Sequence, residues 1–181
     1  MTPVRFPDGM ERRAAIELRA AGRKLEGYAA VFDQPARIGG FAEIIKPGAF
    51  RATLETRADV LALVDHDPSR LLARTGSGTL RLAEDNRGLA FEIDVPDTQL
   101  GRDVLALAER RDLGGMSFSF RPKSQSWPAP DRRELRAVEL IEVSVVQAFP
   151  AYSATSVQAR GRNWAAEWLG PAARRRFVET V

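Results

Sequence analysis

"ELRAVELIEVSVVQAF", residues 134–149, is the longest extended stretch of the chain. Apolar residues fall on both of its faces, as they do in a strand covered on both sides, so it reads as the central strand of a sheet. Strict alternation puts Val138, Leu140, Ser144 and Val146 on the face of Glu142, and Glu139 on the other with Ile141, Val143 and Val145. An ionised carboxylate inside such a strand is costly unless it is paired and hydrogen-bonded. Either one of these glutamates has a partner, or the strand lies at an edge where it reaches water.

Just upstream, "GGMSFSF" at residues 114–120 alternates as well. Met116, Phe118 and Phe120 form an apolar stripe, and Ser117 and Ser119 a hydroxyl stripe. Read alone, this is a half-buried strand with a wet face. Between the two segments, "PKSQSWPAPDRR", residues 122–133, carries three prolines and reads as a loop.

Further upstream the punctuation is regular. "AAIELRA" (14–20) and "KLEGYAAVF" (24–32) are strand patterns about a turn at Gly22. "KPGAFRATLETR" (46–57) places Pro47 near a helix start, with Phe50, Leu54 and Ala58 at helical spacing. "VLALVDHD" (60–67) is a strand ending in charge; "LLAR" and "TLRLAED" follow as short strands, and "LAFEIDV" (89–95) alternates cleanly after the turn "EDNRG". Thr98 is placed to N-cap a helix over "QLGRDVLALAERRD", with Gly114 as its stop. The sum predicts an α+β fold: a mostly antiparallel sheet or small β-barrel of six to eight strands with two or three helices, the barrel being the form that the family resemblance given below implies.

With 181 residues, the chain has the length of one domain with a tail. The boundaries expected are 1–158 for the domain and 159–181 for a basic, weakly helical tail. Net charge is +3, and residues 160–181, with five Arg against two Glu, carry all of it. No stripe of Lys and Arg with interleaved aromatics crosses the body, which argues against a nucleic-acid-binding barrel. There is no cysteine, hence no disulfide framework, thiolate nucleophile or Cys-based zinc site. Charges scattered through the N-terminus and the absence of a long apolar run point to a soluble protein that is not exported.

His66 is the only histidine, at the end of its strand pattern between Asp65 and Asp67. Only histidine has an unperturbed pKa suited to a general base near neutrality. A serine hydroxyl needs such a base to become a nucleophile, and the imidazole needs a third group to hold its tautomer. A serine strand, a lone histidine and a carboxylate in a central strand permit that arrangement; spacing does not prove it.

Taken in order, "GYAAVFD", "EIIKPGAF", "LVDHDPSRLLAR", "GMSFSF" and "LIEVSVVQAFPAYSATSV" resemble the prohead serine proteases, the capsid-maturation family of tailed phages. The likeness runs from about residue 14 to 158. It implies a fold related to the herpesvirus assemblin proteases, and an endopeptidase that cuts the scaffold or the N-terminal scaffolding segment of the major capsid protein inside the procapsid, in the host cytoplasm, and that also cuts itself. It further implies Ser117 as nucleophile, His66 as general base and a carboxylate as third member, because the second histidine of assemblins is missing here. Glu142 matches the family position best, with Glu139 and Asp67 behind it. The family usually has glycine where this chain has Ser119, and Arg121 on the same strand face is an expected electrostatic helper. Self-association as a homodimer is expected by the same analogy, and no metal, cofactor, membrane or specific nucleic acid is implied. The alternative is a catalytically inactive structural or scaffolding component of the procapsid with the same fold.

Overall fold

The computed structural model describes residues 9–15 and 17–147. The expected tail, 159–181, lies outside the described residues, as do positions 148–158 of the expected domain. Among the described residues, eleven strands run in chain order: β1 (Glu11–Ala15), β2 (Glu17–Ala21), β3 (Lys24–Val31), β4 (Ala36–Ile38), β5 (Phe41–Ile45), β6 (Leu61–Val64), β7 (Asp67–Arg74), β8 (Leu80–Glu84), β9 (Gly88–Asp94), β10 (Gly115–Ala129) and β11 (Arg132–Val146). Two helices interrupt them, α1 (Arg51–Glu55) and α2 (Gln99–Arg110). No helix among the described residues is long and apolar enough to cross a membrane.

The expectation for residues 134–149 is met in β11, which is the hub. On one side it pairs antiparallel with β10; on the other it takes β5 along its first residues and β6 along its last, both parallel. The gap between β5 and β6 is closed by the segment they flank. Val138 N–H donates to the Ala49 carbonyl (2.8 Å), and the buried Thr53 of α1 gives its hydroxyl proton to the Val138 carbonyl (3.1 Å) and accepts the Leu140 N–H (3.0 Å). Every backbone polar group buried there needs such a partner.

The strands make a seven-stranded sheet, β1-β10-β11-β5-β4 with β6 and β7 attached through β11, and a four-stranded sheet, β2-β3-β9-β8. All ladders except the two parallel ones on β11 are antiparallel. The expected closed barrel is therefore corrected: among the described residues the ladders form two sheets, and β1 and β2 carry the chain from one to the other without a hydrogen-bonded seam that closes the ring. Side chains from both sheets fill the space between them. Phe118 meets Phe50 edge-on at 5.6 Å and stacks against Phe120 at 5.4 Å, while Leu25, Leu89 and Ile93 come from the smaller sheet.

Four local readings change. Residues 122–129, expected as loop, continue β10, because β1 ends opposite Phe120 and leaves that edge of β10 open beyond it, where a proline removes no ladder bond. Helix α2 starts at Thr98 as expected, with the Thr98 hydroxyl accepting Gly101 N–H at 3.1 Å, but it stops at Arg111 rather than Gly114. Arg111 adopts φ 62°, and Arg111 and Asp112 return their N–H groups to Ala108 and Leu107, a Schellman-type ending. The hairpin of β4 and β5, turning at Gly39 and Gly40, went unread.

The fourth change decides the site. Ser119 is opposite Glu142 but Phe120 is opposite Leu140, so Ile141 is an extra residue, a β-bulge in β11. Beyond it the parity inverts: Val138 and Leu140 join Val143 and Val145 in the core, and Glu139 is opposite Arg121 rather than among the apolar residues. The alternation read from the sequence holds on either side of residue 141 but not across it.

Candidate active site

His66 is not on a strand. β6 ends at Val64, and Asp65 and His66 form the two-residue turn to β7, both with positive φ (52° and 62°). Two left-handed residues are what a tight hairpin of this kind demands, and with neither of them glycine the backbone is strained. The turn is held from outside: Asp65 N–H donates to the Val145 carbonyl (2.9 Å), Gln147 N–H to Asp65 Oδ1 (2.9 Å), and Arg70 pairs with Asp65 Oδ2 (2.8 Å). His66 N–H donates to Ser144 Oγ at 3.2 Å.

This turn sets the imidazole against β11. His66 Nδ1 is 2.5 Å from Glu142 Oε1, and both side chains are more than nine-tenths buried. Glu142 accepts two further hydrogen bonds, from Ser119 Oγ on Oε1 and from Ser144 Oγ on Oε2, the latter at 2.5 Å. Burial pushes the Glu142 carboxyl up, but the hydrogen bond and charge of His66, with the two serine hydroxyls, outweigh it and hold the group below the ordinary carboxylate value. The opposite ring nitrogen differs. His66 Nε2 is the one buried side-chain nitrogen or oxygen among the described residues without a hydrogen-bond partner. Leaving such a group unsatisfied costs about 1–3 kcal/mol, so it calls for an explanation.

Neither serine is on a wet face, since both are fully buried. Ser119 Oγ lies 3.4 Å from His66 Nδ1, donates to Glu142, and accepts from Arg12 Nε at 3.1 Å. Ser117 lies two residues back on the same side of β10, about 7 Å away by strand rise. Its hydroxyl donates to the Arg13 carbonyl of β1 at 2.8 Å, away from His66. Its partner on β11 is Ser144, the residue that holds the His66 backbone.

The structure thus brings His66, Glu142 and Ser119 into contact and leaves Ser117 adjacent but turned aside. The two other candidate carboxylates are engaged elsewhere: Glu139 with Lys123 at 2.6 Å, and Asp67 with the backbone and hydroxyl of Ser69. Arg121 faces Glu139 at 3.5 Å. Sequence reading missed Ser144 and Arg12. Ser144 was legible as the residue two places from Glu142 on one face; Arg12 was not, because nothing in the sequence pairs β1 with β10.

A carboxylate on Nδ1 with Nε2 open is a base held in one tautomer, the arrangement that acyl-transfer chemistry uses. Residues 11–167 match the family model described as caudovirus prohead serine protease. No curated protein and no solved structure matches the chain.

Proposed function

The chain belongs to the caudovirus prohead serine protease family, and from that premise we propose that it is the endopeptidase that cuts the scaffold, or the N-terminal scaffolding segment of the major capsid protein, inside the procapsid in the host cell. Processing of its own chain and action as a homodimer belong to the same reading, as does kinship with the assemblin fold. The observation that carries the site assignment is the imidazole itself: the only histidine of the chain has Nδ1 on a buried carboxylate and Nε2 without a partner.

In the mechanism, Ser117 is the nucleophile, His66 the general base and Glu142 the orienting acid. Ser119 does not fit the nucleophile's role, since it sits at the Nδ1 edge of the ring with its proton on Glu142. Ser117 sits between Ala14 of β1 and Ser144 of β11, and the mechanism requires its hydroxyl to leave the Arg13 carbonyl for the imidazole by a change of χ1 rotamer. His66 Nε2 takes the hydroxyl proton while Oγ bonds to the scissile carbonyl carbon. As the tetrahedral intermediate collapses, the C–N bond breaks and the imidazolium returns its proton to the leaving amine. Water then repeats the sequence on the acyl-enzyme, releasing the acid and restoring Ser117.

The test is co-expression with the neighbouring major capsid protein, comparing wild type with Ser117→Ala and Ser119→Ala by capsid-protein mass. Loss of an N-terminal segment with wild type and Ser119→Ala, but not with Ser117→Ala, is the expected result. Cleavage retained by Ser117→Ala overturns the nucleophile. A capsid protein left whole by every form, in correctly assembled shells, favours a second reading, an inactive shell component, which the buried and turned-aside Ser117 hydroxyl also fits.

A further inference from the structure

Ser119 is the residue that the mechanism leaves without a role, yet no hydroxyl in the site is more fully engaged. A serine offers one proton and two lone pairs. The proton of Ser119 goes to Glu142 Oε1, and a lone pair accepts Arg12 Nε at 3.1 Å. Arg12 and Ser119 are direct partners across the β1–β10 ladder, and Ser119 and Glu142 are direct partners across the β10–β11 ladder. A guanidinium, a hydroxyl, a carboxylate and an imidazole therefore follow one another across three strands and the β6–β7 turn.

We propose that Arg12 and Ser119 form a positioning relay behind the Glu142–His66 pair, which holds Glu142 Oε1 against Nδ1 and couples the charge of Arg12 to that contact. The proposal rests on the protease reading for its purpose but not for its physics. A donor on the carboxylate spreads its charge and weakens its hold on an imidazolium, and a cation two hydrogen bonds away opposes protonation of the ring directly. Hydrogen bonds in series polarise one another, so the hydroxyl carries the influence of the guanidinium to the carboxylate. Ser144 on Oε2 fixes the other oxygen and leaves Oε1 as the point where relay and imidazole meet.

The other charges around His66 are Asp65 and Asp67 beside it in the chain, with Arg70 of β7 paired to Asp65. Amide spectra of the relay variants report whether those groups stay in place, and a change in His66 then reports the relay.

His66 being the only histidine, the imidazole signals of the full chain in nuclear magnetic resonance belong to one residue. The experiment titrates them in wild type, Arg12→Gln, Arg12→Lys and Ser119→Ala, with amide spectra to verify the fold, and follows the acidic limb of kcat/KM on capsid protein in parallel. Arg12→Gln and Ser119→Ala are expected to move the His66 midpoint up by about half a unit or more, and the acidic limb with it. Arg12→Lys, which keeps the charge, is expected to recover most of that shift. A midpoint that stays put in both Arg12→Gln and Ser119→Ala, with the fold intact and the wild type active, overturns the relay. A midpoint that moves in a wild-type background inert toward capsid protein upholds the relay and overturns the protease reading instead.

Discussion

Ser117 gives its hydroxyl proton to the carbonyl of Arg13, 2.8 Å away on the neighbouring strand. That bond stabilises the folded chain by about 0.5–1.5 kcal/mol, in the range of a neutral hydrogen bond, and turning the hydroxyl toward His66 gives it up. A fluorophosphonate reports which serine can be activated, because its phosphorus bonds to the serine oxygen as fluoride leaves and the adduct survives digestion. The adduct is expected on the peptide bearing Ser117, mapping to that residue, and is expected to vanish in His66→Ala. Fragmentation that placed the adduct on Ser119 would reverse the roles of the two hydroxyls.

Glu142→Gln removes the charge that stabilises the imidazolium and replaces one acceptor oxygen with a donor facing Ser119, Ser144 or His66. The expected loss in kcat is roughly two to four orders of magnitude, with KM little changed. A variant retaining a tenth or more of wild-type kcat would remove Glu142 from the mechanism.

Among the carboxyls held below their ordinary values, Glu142 and Glu11 are the buried ones, and their ordinary value is 4.5. For Glu11, burial pushes upward, but hydrogen bonds and charge from Arg133 and Arg13 outweigh it. A depressed carboxyl contributes stability that is complete above its unfolded value and is lost as pH falls through its folded value. The melting temperature is thus expected to hold near neutrality and to fall as the pH drops below about 4.5, and Glu142→Gln is expected to flatten that fall. An equal slope in the variant would show that the carboxylate is not among the groups responsible.

Glu11, Arg13, Glu43 and Arg133 make a buried quartet of balanced charge. Arg133 Nη1 reaches Glu11 Oε2 at 2.6 Å and Glu43 Oε2 at 2.9 Å, while Arg13 joins both glutamates and stacks over Phe120 at 5.3 Å. Removing one charge strands its partners in an apolar setting. Glu43→Gln is expected to cost about 3–5 kcal/mol in urea denaturation, whereas four apolar residues of matching volume are expected to cost far less. A near-neutral Glu43→Gln would mean that water reaches the quartet.

Thr53→Val keeps shape but deletes the hydroxyl that pairs Leu140 N–H and the Val138 carbonyl beside the bulge. A loss of about 1–3 kcal/mol is expected, with Thr53→Ser largely neutral. Equal losses in both would point to packing of the methyl group instead.

How much of this was legible follows from the reach of each interaction. The apolar stripe of Met116, Phe118 and Phe120, the Thr98 cap and the central strand are local patterns, and they read correctly. The bulge at Ile141 is set by the α1 hydroxyl and by pairing with β10, so parity counted along β11 assigned Glu139 to the wrong company. The positions of His66 and Arg12 depend on which strands meet, and a two-residue turn of Asp and His carries no glycine signal. The wet face expected for the serines proved dry because a hydroxyl stripe does not reveal what covers it.

The β10–β11 hairpin and the β6–β7 turn also differ in when they can deliver their parts. Ser119 and Glu142 are 23 residues apart in the chain, His66 and Glu142 76. Closing the longer loop costs about 1 kcal/mol more in chain entropy, and contacts of short separation tend to form first. A chain whose hairpin has zipped while β6 is still undocked holds both serines and the acid without a base. On the proposed mechanism such a chain is proteolytically silent, and it arms itself only when the β6–β11 ladder is in place.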